Sequence, residues 1–150
     1  SQGGGPGWLA AIKNPEIRAV VAYEPGSGFI FPAGEVPEPL ETTSPFGALA
    51  GREIALEDFQ KLTKIPIVIY YGDNIPAVPT AEWNKDNWRV RLQMARLFAD
   101  AVNRHGGDAA VVHLPEIGIK GNTHFPFSDM NNQEIAVLLE KWLHEKKLDI

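Results

Sequence analysis

Three short apolar runs constrain this chain more than any other feature. Residues 17–23 (Ile-Arg-Ala-Val-Val-Ala-Tyr), 66–71 (Pro-Ile-Val-Ile-Tyr-Tyr) and 109–114 (Ala-Ala-Val-Val-His-Leu) are rich in β-branched residues and show little apolar–polar alternation. A strand covered on both faces reads this way, and such strands belong to parallel sheets. The segments between and around the runs carry helical spacing instead. Residues 6–14 place Trp8, Leu9, Ala11 and Ile12 on one side, and Asn14-Pro15 ends them, because proline disfavours helical geometry in the residue before it. A short helix is expected over 56–62, with Phe59 and Leu62 inward. A long one over 87–105 repeats Val90, Met94, Leu97, Phe98 and Val102 at three and four, then stops at Gly106-Gly107. The last, over 133–146, turns Ile135, Leu138, Leu139, Trp142 and Leu143 inward, with Asn131 and Glu134 spaced as a capping box. Helices alternating with strands at this spacing predict an α/β fold with a parallel sheet and right-handed crossovers.

At 150 residues the chain is long enough for one domain with a core. Its 12 prolines and 14 glycines concentrate over 25–50, where no period persists. That stretch reads as an excursion over the sheet, with Phe29 and Phe31 as part of a substrate-pocket wall or as a plain connector. A net charge of −5 supplies no basic stripe for nucleic acid or an anionic membrane surface. No apolar run approaches the roughly 20 residues of a membrane-spanning helix. The absence of cysteine excludes disulfides, thiolate metal sites and a cysteine nucleophile. Three such strands also leave at least one long apolar edge uncovered, which predicts that an upstream segment or a partner chain completes the sheet.

In open parallel sheets, sites form at the carboxyl ends of the strands. Those ends carry Glu24, Asp73 and the loop with His124, while Ser1-Gln2-Gly3-Gly4-Gly5 opens the first helix. Serine, carboxylate and histidine in that chain order suit acyl transfer. A serine hydroxyl needs an imidazole to accept its proton, and the imidazole needs a carboxylate to hold its tautomer. Each residue has a plainer role open to it: an exposed terminus for Ser1, a turn residue for Glu24, a packed loop histidine for His124. The tryptophans Trp8, Trp88 and Trp142 read as core or rim aromatics.

Ser1-Gln2-Gly3-Gly4 resembles the downstream part of the Gly-x-Ser-x-Gly nucleophile elbow, and Gly121-Asn122-Thr123-His124 resembles the histidine loop of α/β-hydrolase-fold esterases. Tyr23-Glu24-Pro25-Gly26, Tyr71-Gly72-Asp73 and the His124 loop with Asn131-Asn132 resemble, more narrowly, a bacterial esterase group whose triad acid is a glutamate after the sixth strand. The resemblance implies that residues 1–150 are the C-terminal half of one three-layer α/β-hydrolase domain. It implies nucleophile Ser1, base His124, acid Glu24, an oxyanion-binding amide at Gln2, and no metal or organic cofactor. Asp73 is the alternative acid: most of the family places the acid one strand later, although the usual Gly-x-x-Asp spacing fails after Gly72. The expected partners are the N-terminal half of the same hydrolase, separated by cleavage before Ser1 or otherwise removed, and a small ester. Phe29, Phe31, Phe125 and Phe127 suggest an apolar acyl or alcohol group, and the resemblance favours a secreted or periplasmic setting. Two other readings remain open at this point. One is a non-catalytic hydrolase-like interaction domain. The other is a dinucleotide-binding module, although Trp8 stands where its third glycine belongs.

Overall fold

A computed structural model describes residues 1–149. These residues form four α-helices, α1 (Gly4–Lys13), α2 (Leu56–Leu62), α3 (Trp83–Arg104) and α4 (Asn132–Glu145), and five strands. The strands are β1 (Val20–Tyr23), β2 (Ile30–Pro32), β3 (Arg52–Ile54), β4 (Pro66–Tyr71) and β5 (Asp108–His113). The main sheet is parallel throughout, in the order β1-β4-β5, with Val20 opposite Ile67 and Ile67 opposite Ala109. The expected α/β class and strand direction are therefore present.

Alternation along β4 sorts the core into two layers, because successive side chains of a strand point to opposite faces. Ile67, Ile69 and Tyr71 join Trp8, Phe59 and Phe98 under α1, α2 and α3. Val68 and Tyr70 join Ile135 and Trp142 under α4. Helices thus cover both faces of the sheet. On the α4 side, burial pushes the Tyr70 phenol up to about 12, with the neighbouring Tyr23 and Glu145 adding to the effect. Full burial of one such apolar side chain contributes about 1.5–3 kcal/mol.

Only β4 is covered as the sequence predicts for all three strands. In β1, Val21 and Tyr23 stay partly exposed, and β5 is exposed or half-exposed at every position but Ala109. Both are edge strands among the described residues, and an edge strand meets fewer neighbours. The first ladder is also shorter than 17–23. Its pairing begins at Val20 opposite Ile67, so Ala19 would face Pro66, which has no N–H to donate. The helix expected over 87–105 begins a full turn earlier, at Trp83.

The 25–50 excursion corrects the sequence more substantially. It contributes β2 to a second, two-stranded parallel sheet with β3, and Leu40 bridges Leu49. Phe29 and Phe31 do not line a pocket; both are buried in the main core. Phe29 stacks on Trp8 with ring centroids 5.5 Å apart, and Phe31 meets Phe98 edge-on at 6.4 Å. Their hydrophobic surface is the glue that folds the excursion onto the helices.

Candidate active site

Glu24 follows β1 directly and is the most constrained residue of the region. Its backbone takes φ +45°, a left-handed conformation that costs a side-chain-bearing residue on the order of 1–2 kcal/mol. The turn is held from both sides: the Glu24 N–H donates to Tyr70 O at 2.8 Å, and the buried Tyr71 hydroxyl donates to Pro25 O at 2.7 Å. Burial, followed by the charge of Glu24, drives the Tyr71 phenol well above its ordinary value, so it stays a donor. With this backbone the Glu24 carboxylate turns inward and is 3% exposed. Its Oε1 accepts the Gly72 N–H at 2.7 Å, and its Oε2 is hydrogen-bonded to His124 Nδ1.

His124 arrives on a loop that polar clamps hold in place. Asp73 Oδ2 accepts the Gly121 N–H at 2.7 Å and Oδ1 accepts the Asn74 N–H at 2.7 Å; these two bonds hold the Asp73 carboxyl below its usual range. Asp129 accepts the Thr123 N–H at 2.7 Å, its hydroxyl at 2.8 Å and the Asn122 amide at 3.0 Å. Burial pushes the Asp129 carboxyl up, yet those three donors together keep it below its ordinary value. Asn122 and Asn131 exchange side-chain amide bonds at 2.7 and 3.1 Å. Asn131 therefore makes no side-chain cap on α4, contrary to the expected capping box, because its amide is committed to the histidine loop.

Gly72 is what allows this loop to come so close. A Cβ at position 72 would lie 2.6 Å from Thr123 O and 2.9 Å from Asn122 O, both backbone atoms that cannot swing away. Gly72→Ala is expected to push the loop off Glu24 and to destabilise the fold by about 1–3 kcal/mol. Urea unfolding measures the stability, and loss of the downfield His124 Nδ1–H resonance reports the broken contact.

The imidazole itself lies between two aromatic rings. The Trp88 centroid is 4.3 Å away, tilted by 43°, and that of Phe125 is 4.7 Å away at 61°. Glu24, Asp73, Trp88 and His124 share the lining of a cleft of ≈ 290 Å³. Phe125, packed on His124, and Phe127, against Tyr23, are about half exposed, unlike the buried Phe29 and Phe31.

Ser1 sits against the turn that carries Glu24. Its ammonium donates to Tyr23 O at 2.8 Å and its carbonyl accepts the Gly26 N–H at 3.1 Å, which fixes the residue next to the Glu24 turn. Desolvation lowers the Ser1 ammonium, partly offset by the charge of Glu24. Ser1 lines a neighbouring groove of ≈ 300 Å³ with Tyr23 and Phe127. No hydrogen bond joins its hydroxyl to His124 among the described residues, and Gln2 is exposed on the first turn. The structure thus brings Glu24 and His124 together, leaves Asp73 on the histidine loop's backbone, and sets Ser1 against the Glu24 turn with no bond to the imidazole. Gly4 and Gly5 are buried in the contact with Pro25 and Gly28, so they offer no open cradle for a pyrophosphate.

Sequence reasoning missed the roles of Trp88, Gly72, Asn122 and Asp129. Gly72 stood out only as part of the Tyr71-Gly72-Asp73 motif, and Asp73 only as the alternative acid. Nothing in the sequence marks which aromatic of α3 faces a loop 36 positions later.

Compared with solved structures, the chain aligns over 97% of its length, at 30% identity and a TM-score of 0.68, with a protein described as a novel bacterial esterase. The fold is esterase-like. The chain spans 36% of that protein's length. No family model and no curated protein matches it. Among the described residues, no group of three or more His, Asp and Glu side chains converges on one point.

Proposed function

We propose that this chain is the C-terminal part of an α/β-hydrolase domain that cleaves small carboxylic esters through a Ser1-His124-Glu24 triad. The observation that carries the proposal is the buried Glu24 carboxylate bonded to His124 Nδ1. A carboxylate on Nδ1 leaves Nε2 of the neutral ring as the proton acceptor, which is the tautomer a serine nucleophile requires. Ser1 Oγ then attacks the ester carbonyl while Nε2 takes its proton, and the Gln2 N–H helps hold the oxyanion. The tetrahedral intermediate collapses to an acyl-serine as the imidazolium returns the proton to the departing alkoxide. Water, deprotonated by the same nitrogen, releases the acid and restores the serine. Apo geometry between nucleophile and base is often looser than in the reacting complex, so the unbonded Ser1 hydroxyl is compatible with this role. The likeness to a bacterial esterase supports the chemistry.

Completion by an N-terminal half is part of the same proposal. The free edge of β1 and the 36% share of the neighbour's length both support it. The half-exposed Phe125 and Phe127 suit an apolar acyl or alcohol group.

The choice of acid is tested by two matched substitutions in the assembled protein. Glu24→Gln is expected to lower kcat by on the order of 10²–10⁴, because an amide no longer holds or stabilises the imidazolium. Asp73→Asn weakens only turn hydrogen bonds and is expected to cost less than about tenfold. The reverse ranking in ester hydrolysis assays would make Asp73 the acid.

A further inference from the structure

His124 is held at one nitrogen by Glu24, yet a single hydrogen bond leaves the ring free to rotate about it. Phe125 of the same loop meets its edge, and the constraint from outside the loop comes from α3. Trp88 covers the imidazole at 4.3 Å, well inside the roughly 6 Å at which an aromatic face attracts a cation. The indole also reaches the turn that follows the acid. A Cβ on Gly26 would lie 3.7 Å from Trp88 Cη2, so the ring edge runs beneath the turn that carries Glu24. Trp88 is itself braced: the Arg91 guanidinium lies 5.4 Å from its centroid and is anchored on Asn87 O at 2.7 Å. One side chain therefore touches the base and underlies the turn of the acid, which come from segments 100 positions apart.

We propose that Trp88 is a positioning residue for His124, setting the imidazole plane against Glu24 and lending its π-face to the imidazolium that forms in each acyl transfer. The catalytic consequence rests on the triad reading above; the contact itself does not. The ring's negative face favours the protonated base over the neutral one, and Trp88 excludes water from one side of it. The charges surrounding the imidazole are accounted for on every side. Glu24 approaches from β1 and Asp73 from the end of β4, where it is engaged by Gly121 and Asn74. Asp129 lies behind the loop, bonded to Thr123, and the Ser1 ammonium lies beyond Glu24. On α3, Lys85 is paired with Glu82, and Arg91 is a permanent charge, so its opposing effect on the Trp88 face is constant with pH.

Trp88→Leu and Trp88→Phe in the full protein separate this role from simple filling of space. Leucine removes the π-face and phenylalanine keeps one. Trp88→Leu is expected to lower kcat by about three- to tenfold with little change in KM, and Trp88→Phe to recover most of it. With the face gone the imidazolium is less favoured and the neutral base persists to lower pH. The acidic limb of the Trp88→Leu pH–rate profile should therefore move down by roughly half a unit or more. Equal losses in both variants, or an unmoved acidic limb, would overturn the proposal.

A readout independent of ester turnover covers poor folding of the leucine variant. The difference in fluorescence between the parent and Trp88→Phe isolates the Trp88 emission. That emission should be quenched on acidification as His124 protonates, and His124→Gln should abolish the quenching. Quenching that survives in His124→Gln refutes the contact. Quenching that behaves as expected, together with full esterase activity in His124→Gln, would uphold the contact and remove the triad instead.

Discussion

Replacing His124 by alanine in the assembled protein is expected to lower ester turnover by on the order of 10³-fold or more. In the proposed mechanism the size follows from two duties, since the same nitrogen would accept the serine proton and protonate the leaving alkoxide. The fold should survive. The His124 side chain is 26% exposed, and its loop is held by Asp73, Asp129 and Asn131 rather than by the ring. The substitution does leave the Glu24 carboxylate with the Gly72 N–H as its remaining partner, a loss of about 1–3 kcal/mol. Circular dichroism should be unchanged and the unfolding midpoint modestly lower. Unchanged turnover would remove the triad assignment outright, whatever the fate of the stability.

The second large effect concerns a residue outside the site. Asp86, in the first turn of α3, is fully buried and bonded on both oxygens. Oδ1 accepts Arg89 Nε at 2.6 Å and the Thr80 N–H at 3.1 Å, and Oδ2 accepts the Thr43 N–H at 2.9 Å. One carboxylate thus ties the excursion and the segment before α3 to the helix. Asp86→Ala would strand the Arg89 charge and two backbone N–H groups, at a cost on the order of 3–5 kcal/mol. The Arg89 guanidinium, opposed by burial but aided by the Thr43 and Thr80 N–H groups, holds the carboxyl far below its ordinary range. A depressed folded-state value means the stabilisation is complete above the unfolded-state value, near 4, and is lost as pH falls from there toward the folded one. Urea unfolding across pH 2–7 should show the parent losing stability below about pH 4. Asp86→Ala should lack that component of the acid loss.

Asp86 also shows what a sequence conceals. With the helix expected to begin at 87, the residue lay just outside it. Its meaning depends on Thr43 and Thr80, whose distance along the chain says nothing about contact in space. The two strands of the small sheet were hidden for a different reason. At three residues each, β2 and β3 are too short to display a period, and burial of Phe29 and Phe31 depends on Phe98 from a distant helix.

The alternation of apolar runs and helical spacing was sufficient to specify a parallel α/β sheet, because strand burial and helix amphipathicity are local patterns. It also set Ser1, Glu24, Asp73 and His124 near one edge, since each follows a strand or opens a helix there. The tertiary structure alone decided which carboxylate meets the imidazole. Asp73 is spent on backbone N–H groups, while a left-handed turn aims Glu24 inward, and neither backbone geometry nor a competing hydrogen bond is written in residue type. The same holds for Trp88. Its face against His124 exists only once α3 has packed beneath two loops that the chain brings together from far apart.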